Sequence, residues 1–156
     1  MPLRIATAAD IPTIVALERA PAASAFVGQW SEERHRATLG GRDARYYVSE
    51  IGRDIDAYVI LNGLTEDSGS IELKRIVVAA PGHGLGRRIL TEIIRIAFRE
   101  LRAHRLFLDV LDDNSRARHL YESLGFKYEG VMRDAARRDG VWFDVHLMSM
   151  LESEYN

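Results

Sequence analysis

The chain contains no cysteine. That excludes a disulfide framework, a thiolate nucleophile and a thiolate metal site, and it fits a cytoplasmic protein. Histidine is sparse as well: His35, His83, His104, His119 and His146 show no HExxH or other close ligand spacing, so no metal is expected. No apolar run is long enough to span a membrane, and the first residues lack the charged-then-apolar pattern of a signal peptide. The net charge of −2 gives no general attraction to nucleic acid. No Gly-Lys pair occurs, so a nucleoside-triphosphate loop ending in Gly-Lys-Ser/Thr is ruled out. Internal repeats, low-complexity segments and linkers are missing too, and residues 1–156 are expected to form one domain.

What is present centres on Ile71 to Leu90. Ile71-Glu72-Leu73-Lys74-Arg75-Ile76-Val77-Val78 is rich in β-branched residues and predicts a strand. Leu85, Ile89, Leu90, Ile93, Ile96, Ala97 and Leu101 recur at helical spacing. Between them, Pro81-Gly82-His83-Gly84-Leu85-Gly86 forms a glycine-rich turn whose backbone can approach a ligand closely. The first N–H groups of the helix have no internal partner and lie at the positive end of its dipole, so they suit an anion such as a phosphate. Arg87 and Arg88 in that first turn oppose the dipole, and a bound anion explains them better than helix stability does. A bare tight connection has the same pattern. The dinucleotide pattern GxGxxG fails: its sixth position falls on Arg87 counted from Gly82 and on Ile89 counted from Gly84.

Upstream, Leu3 to Ala6 reads as a short strand, and Thr7 or Asp10 caps a helix with Ile11, Ile14, Val15 and Leu17 on one face. Pro21 ends that helix, and Ala22 to Trp30 has no clear period. Ser31 caps a polar helix over Glu32 to Leu39. Strands Arg45 to Ile51 and Ile55 to Leu61 flank Gly52-Arg53-Asp54, a hairpin signal. Downstream, Arg105 to Val110 predicts a buried strand, Asp112 to Ser115 a cap, Arg116 to Leu124 a helix stopped by Gly125. Two closing strands, Phe126 to Arg133 and Trp142 to Met150, are joined by a basic loop ending in Asp139-Gly140. The resulting class is α/β, with a mixed sheet carrying hairpins towards both ends and helical crossovers around the centre.

This order resembles the GCN5-related N-acetyltransferase superfamily on two motifs. The glycine turn places Gly84 and Gly86 at the two glycine positions of the family's Gln/Arg-x-x-Gly-x-Gly/Ala signature, with Pro81 as a departure at its first position. The more specific motif is Asn114-x-x-Ala117-x-x-x-Tyr121-x-x-x-Gly125-Phe126. The closing segment looks like the branch that acetylates ribosomal-protein N-termini and its small-molecule relatives. The resemblance implies a mostly antiparallel central sheet of about seven strands with helices on both faces. It also implies an N-acetyltransferase moving acetyl from acetyl-CoA to a primary amine, on a protein N-terminus or a small molecule. A homodimer through the closing strands is an arrangement the family offers.

Residue by residue, the resemblance assigns the pyrophosphate to the loop of Gly82, His83, Gly84, Leu85, Gly86, Arg87 and Arg88. It gives the pantetheine arm the backbone of Ile76, Val77 and Val78. Asn114 and Ala117 become coenzyme contacts, and Tyr121 the general acid as well as a coenzyme contact. Read without the resemblance, Tyr121 is an ordinary amphipathic residue and Asn114 a helix cap. The base stays open between Asp109, Glu72 and a water chain; Glu72 alternating with apolar neighbours also fits an exposed strand face. Trp30, Tyr46, Tyr47, Trp142 and Phe143 are candidates for the amine side or for the core. With no cysteine for an acyl-enzyme, transfer is expected in a ternary complex. A non-catalytic acyl-CoA-binding sensor is the alternative.

Overall fold

A computed structural model describes residues 3–24 and 26–155; the stretch from Ala22 to Trp30 therefore includes Ala25, which lies outside the described residues. The elements are β1 (Arg4–Ile5), α1 (Ile11–Arg19), α2 (Pro21–Ser24), α3 (Glu32–Gly40), β2 (Ala44–Ile51), β3 (Asp54–Asn62) and β4 (Ser70–Val78). Then follow α4 (Leu85–Arg95), β5 (Arg105–Leu111), α5 (Ser115–Ser123), β6 (Lys127–Arg138) and β7 (Val141–Leu151). A 3₁₀ turn, Ala8–Asp10, precedes α1, and a π-helical turn, Ile96–Glu100, extends α4.

The strands form one sheet in the order β1-β2-β3-β4-β5-β7-β6. Neighbours run antiparallel except β4 and β5, the parallel pair joined by the α4 crossover. β2 and β3 are buried on both faces. Tyr47, Ala57, Val59 and Leu61 point into a core with α4, and Tyr46, Val48, Tyr58 and Ile60 into a second core with α1. The first core receives Ile89, Leu90, Ile93 and Ile94 from α4. Ile89 and Ile93 are fully buried, so truncating either to Ala would cost about 2–5 kcal/mol. Among the described residues no helix is long and apolar enough to cross a membrane.

Two irregularities make the site. β4 and β5 pair only at Ser70–Arg105, Ile71–Leu106 and Glu72–Phe107, and part beyond Glu72. In the β3–β4 ladder Ile60 pairs with Arg75 while Leu61 pairs with Leu73, so Lys74 is an extra residue bulged out of β4. The bulge shifts the alternation by one. Ile71 and Leu73 face the α4 core, whereas Val77 joins the α1 core.

The sequence-based boundaries differ from the structure by a residue at several element ends, and three further differences change an element. α1 starts after a 3₁₀ turn that shares the Thr7–Asp10 capping box. Pro21 ends α1 and also opens the four-residue α2, too short to show a period. The basic loop between the closing strands is itself paired: β6 runs to Arg138 and β7 begins at Val141. Asp139 (φ 51°) and Gly140 (φ 78°) make the two-residue turn between them. β6 bulges at Glu129 and over Arg133–Ala135, where the Asp134 N–H donates to Asp144 Oδ1 at 2.9 Å.

Candidate active site

The parted strands open a cleft of about 680 Å³ that runs from the glycine turn to the tip of the β6–β7 hairpin. At the first end, Gly82 (φ 94°) and Gly84 (φ 77°) hold left-handed conformations that release the chain into α4. A Cβ on Gly82 would lie 3.2 Å from Arg116 Nη2, so the guanidinium from α5 already sits against the bare turn. Arg87 also lines the cleft and donates to Ser123 Oγ at 2.7 Å, tying α4 to α5. The N-terminus of α4, with Arg87 and Arg116 beside it, suits a pyrophosphate.

Three members of the predicted loop set are not among the residues that line the cleft. The Leu85 side chain is core, and His83 and Arg88 are exposed and do not line the cleft. Arg116 was missed, although a second arginine in a helix first turn carries the same signal that singles out Arg87 and Arg88.

Along the middle, β4 offers its edge. The Ala79 N–H donates to the Asp56 carbonyl at 2.8 Å. Antiparallel alternation then turns the backbone groups of Val77 and Arg75 towards β3, and those of Ile76 and Val78 towards the cleft. All three of Ile76, Val77 and Val78 line the cleft. Ile76 and Val78 present their backbone groups there, while the Val77 side chain is buried in the α1 core.

Tyr121, from α5, lines the cleft with its ring buried and packed edge-on against Phe126 at 5.8 Å. Burial pushes its phenol up to about 12, and the negative charge of Asp109 adds to the shift. Asn114 caps α5 by accepting from the Ala117 N–H at 3.3 Å, and both line the cleft. Asp109 lines it too, with its side chain exposed.

Glu72 sits where the strands part, paired with Asn62 and Phe107, half-buried and just outside the cleft lining. Burial raises its carboxyl above the ordinary range. Lys74 opposes the rise, the Asp109 charge adds to it, and a hydrogen bond from Asn62 opposes it. A solvated strand face does not describe this residue. The structure therefore brings the two carboxylates close enough to influence each other.

At the far end the wall is made by Ala23, Phe26, Val27 and Gly28 after α1 and by Ala135–Arg138 of β6. None of the aromatic candidates lines it. Tyr46 and Tyr47 are buried in the two cores, Trp30 is buried beside α3, and Trp142 is exposed. Phe143 does not line the cleft either and carries the Arg138 guanidinium 5.7 Å above its ring.

Behind this wall lies a buried polar cluster that sequence reasoning passed over. Glu18 accepts from the Trp30 N–H at 3.0 Å and from Tyr58 Oη at 3.2 Å, and it pairs with Arg75 and with His35 Nε2. His35 Nδ1 is 2.6 Å from Tyr46 Oη, and Arg75 lies 4.5 Å above the Trp30 ring. Glu18 falls at helical spacing from Ile11 and Ile14, on the buried stripe of α1. That was the available signal.

The geometry has counterparts in known proteins. The model of the acetyltransferase (GNAT) family matches residues 15–126. A spermidine N(1)-acetyltransferase of Vibrio cholerae is 28% identical over 116 residues, covering 72% of this chain and 66% of that protein, a little under two thirds of its length. The probable N-acetyltransferase YjcK of Bacillus subtilis is 33% identical over 73 residues, 44% of this chain and 40% of that one. A solved mutant form of the Vibrio cholerae spermidine N-acetyltransferase SpeG matches with a TM-score of 0.85 at 26% identity, over 98% of this chain and 96% of that one. The parted β4 and β5, the glycine turn and the Asn114-to-Phe126 helix thus lie in a chain that belongs to the acetyltransferase (GNAT) family.

Proposed function

We propose that this protein moves the acetyl group of acetyl-CoA directly to the nitrogen of a small-molecule primary amine. The observation that carries the reading is the cleft left where β4 parts from β5. It has an anion-suited turn at one end, a free strand edge in the middle, and Tyr121 and Asp109 along its lining. Membership of the family and the printed names of the relatives support acetyl transfer to an amine. A small acceptor is favoured over a protein N-terminus because the far end is walled by the segment after α1 on one side and by β6 on the other.

In this reading the coenzyme phosphates take the α4 N-terminus with Arg87 and Arg116, and the extended arm takes the backbone of Ile76 and Val78. The amine nitrogen attacks the thioester carbonyl carbon. A C–N bond forms, the C–S bond breaks, and the sulfur leaves as thiolate. The amine proton passes to Asp109 or Glu72, directly or through water; Tyr121 donates a hydrogen bond to the departing sulfur, and the thiolate takes its proton from water. A phenol held near 12 stays protonated at neutral pH, yet it is a weaker acid than an ordinary thiol, at about 8.5. Its contribution is therefore a hydrogen bond to the sulfur as charge develops, with the phenol keeping its own proton.

The test is calorimetric titration with acetyl-CoA, then free-thiol release over a panel of small amines and N-terminal peptides. Binding with release on small amines supports the reading. Release on peptides alone moves the acceptor to a protein. Binding without release on any acceptor points to the acyl-CoA sensor, and absence of binding removes the phosphate site.

A further inference from the structure

We propose that the acceptor amine also carries an anionic group, a carboxylate or a phosphate, and that Arg138 receives it. This deepens the functional reading above and rests on it.

Arg138 Nη2 is buried and has no hydrogen-bond partner among the described residues. The other buried side-chain atoms in that state belong to Asp56, Arg118 and His146, none of which lines the cleft; Arg138 does. A buried guanidinium donor without a partner is unfavourable, and its planar fork matches carboxylate and phosphate oxygens. Arg138 lines the cleft, so a small movement of its side chain would let an arriving anion satisfy that donor.

The position of Arg138 separates it from the coenzyme phosphates. Its guanidinium lies over Phe143, and Phe143, Val145 and Leu147 alternate onto one face of β7. Leu147 pairs with Asp109, so this is also the face of Asp109. The arginines of the glycine turn, Arg87 and Arg116, belong to α4 and α5 at the opposite end of the cleft.

The charge of the acceptor end points the same way. Arg75 is neutralised by Glu18. Lys74, Arg137 and Arg138 line the cleft, and none of the three forms an ion pair among the described residues. Among the described residues Asp109 is the carboxylate that lines it, with Glu72 just outside. A polyamine would set several cations against these three side chains with Asp109 and Glu72 to balance one end alone, and like charges brought together in a cleft disfavour binding. An amine with an anionic arm places its nitrogen near Asp109 and its anion at Arg138.

The experiment compares thiol release by the full chain, with saturating acetyl-CoA, on four amines: 4-aminobutyrate, 2-aminoethyl phosphate, butylamine and spermidine. Either anionic amine is expected to exceed butylamine in kcat/KM by roughly tenfold or more, through a lower KM. Whichever leads identifies the group as carboxylate or phosphate. Arg138→Gln collapses that preference, and Arg138→Lys retains part of it, with acetyl-CoA titration and circular dichroism reporting that each variant is folded. Spermidine equal to or better than the anionic amines overturns the proposal, as does a preference that survives Arg138→Gln. Turnover of butylamine alone overturns it too but leaves the acetyltransferase reading standing. Bound acetyl-CoA with no release on any amine overturns both.

Discussion

Glu18 of α1 and Arg75 of β4, 57 residues apart in sequence, form an ion pair with both side chains almost wholly removed from solvent. The pair spans the interface that holds the far wall of the cleft, because Arg75 lines the cleft and Glu18 also binds the Trp30 backbone that follows the wall. Breaking a buried pair leaves an uncompensated charge, so Glu18→Gln is expected to lower unfolding free energy by about 3–5 kcal/mol in urea titration. Burial pushes the Glu18 carboxyl up, but His35, Arg75 and the Trp30 N–H together hold it below its ordinary 4.5. A depressed folded-state value means the contribution is complete above about pH 4.5 and is lost as pH falls through the folded value. Wild-type stability should thus drop more steeply below pH 4.5 than that of the variant. Equal acid slopes would remove Glu18 from this role.

Tyr121→Phe keeps the ring that packs on Phe126 and removes the donor. The expected result is unchanged acetyl-CoA affinity by calorimetry with kcat reduced by about 10²-fold or more. The elevated phenol adds a signature. An ordinary tyrosine at 10.0 would begin to deprotonate and cost rate as pH rises past about 9, whereas one at about 12 leaves kcat level there. An alkaline fall that vanishes in the Phe variant would contradict the burial described above.

The two carboxylates can be told apart by pH. With the amine acceptor saturating, kcat should fall on the acid side through an apparent value above 4.5 if Glu72 is the base, because burial and the charge of Asp109 both raise it. Asp109→Asn removes that charge, so the Glu72 carboxylate becomes easier to form and the acid limb moves to lower pH. Glu72→Gln should abolish the limb. If neither substitution moves it, neither carboxylate is the group that titrates, and a water chain is left to carry the proton.

Much of this site was readable in advance because its signals are local. Gly84 at the start of α4 and Asn114 three residues before Ala117 belong to short contiguous stretches whose turn and cap chemistry repeat in any context. The Lys74 bulge was not readable, because nothing in IELKRIVV says that two β4 residues will oppose one position of β3. Without it, Arg75 would be placed on the wrong face. Extension of β6 to Arg138 was hidden as well: this edge strand is exposed along most of its length, so it shows no apolar alternation. Its pairing comes from β7 and the Asp139-Gly140 turn. His35 was masked by the polar helix around it, since one fully buried residue among seven polar or small ones, with Leu39 as the only large apolar side chain, leaves no period.

The glycine turn yields a prediction in which stability and binding part company. Gly86 lies inside α4 and lines the cleft, and a Cβ there would meet only Leu120 Cδ2, at an ordinary 3.8 Å. Gly86→Ala should stabilise the fold by about 0.5–1 kcal/mol, since alanine loses less backbone freedom in a helix. For a chain of this size that raises Tm by roughly 1–4 °C. Gly84 has just as much room, with nothing within 4 Å, but its φ of 77° is left-handed. Gly84→Ala should therefore destabilise by about 1 kcal/mol. Both put a methyl group where, in the proposed reading, a phosphate approaches bare backbone, so both should weaken acetyl-CoA binding in calorimetry. A Gly86→Ala variant that melts higher and binds less tightly ties the glycine to the ligand, because helix stability alone would favour the substitution. If that variant melts higher and binds acetyl-CoA as wild type does, the phosphates do not approach the backbone at Gly86.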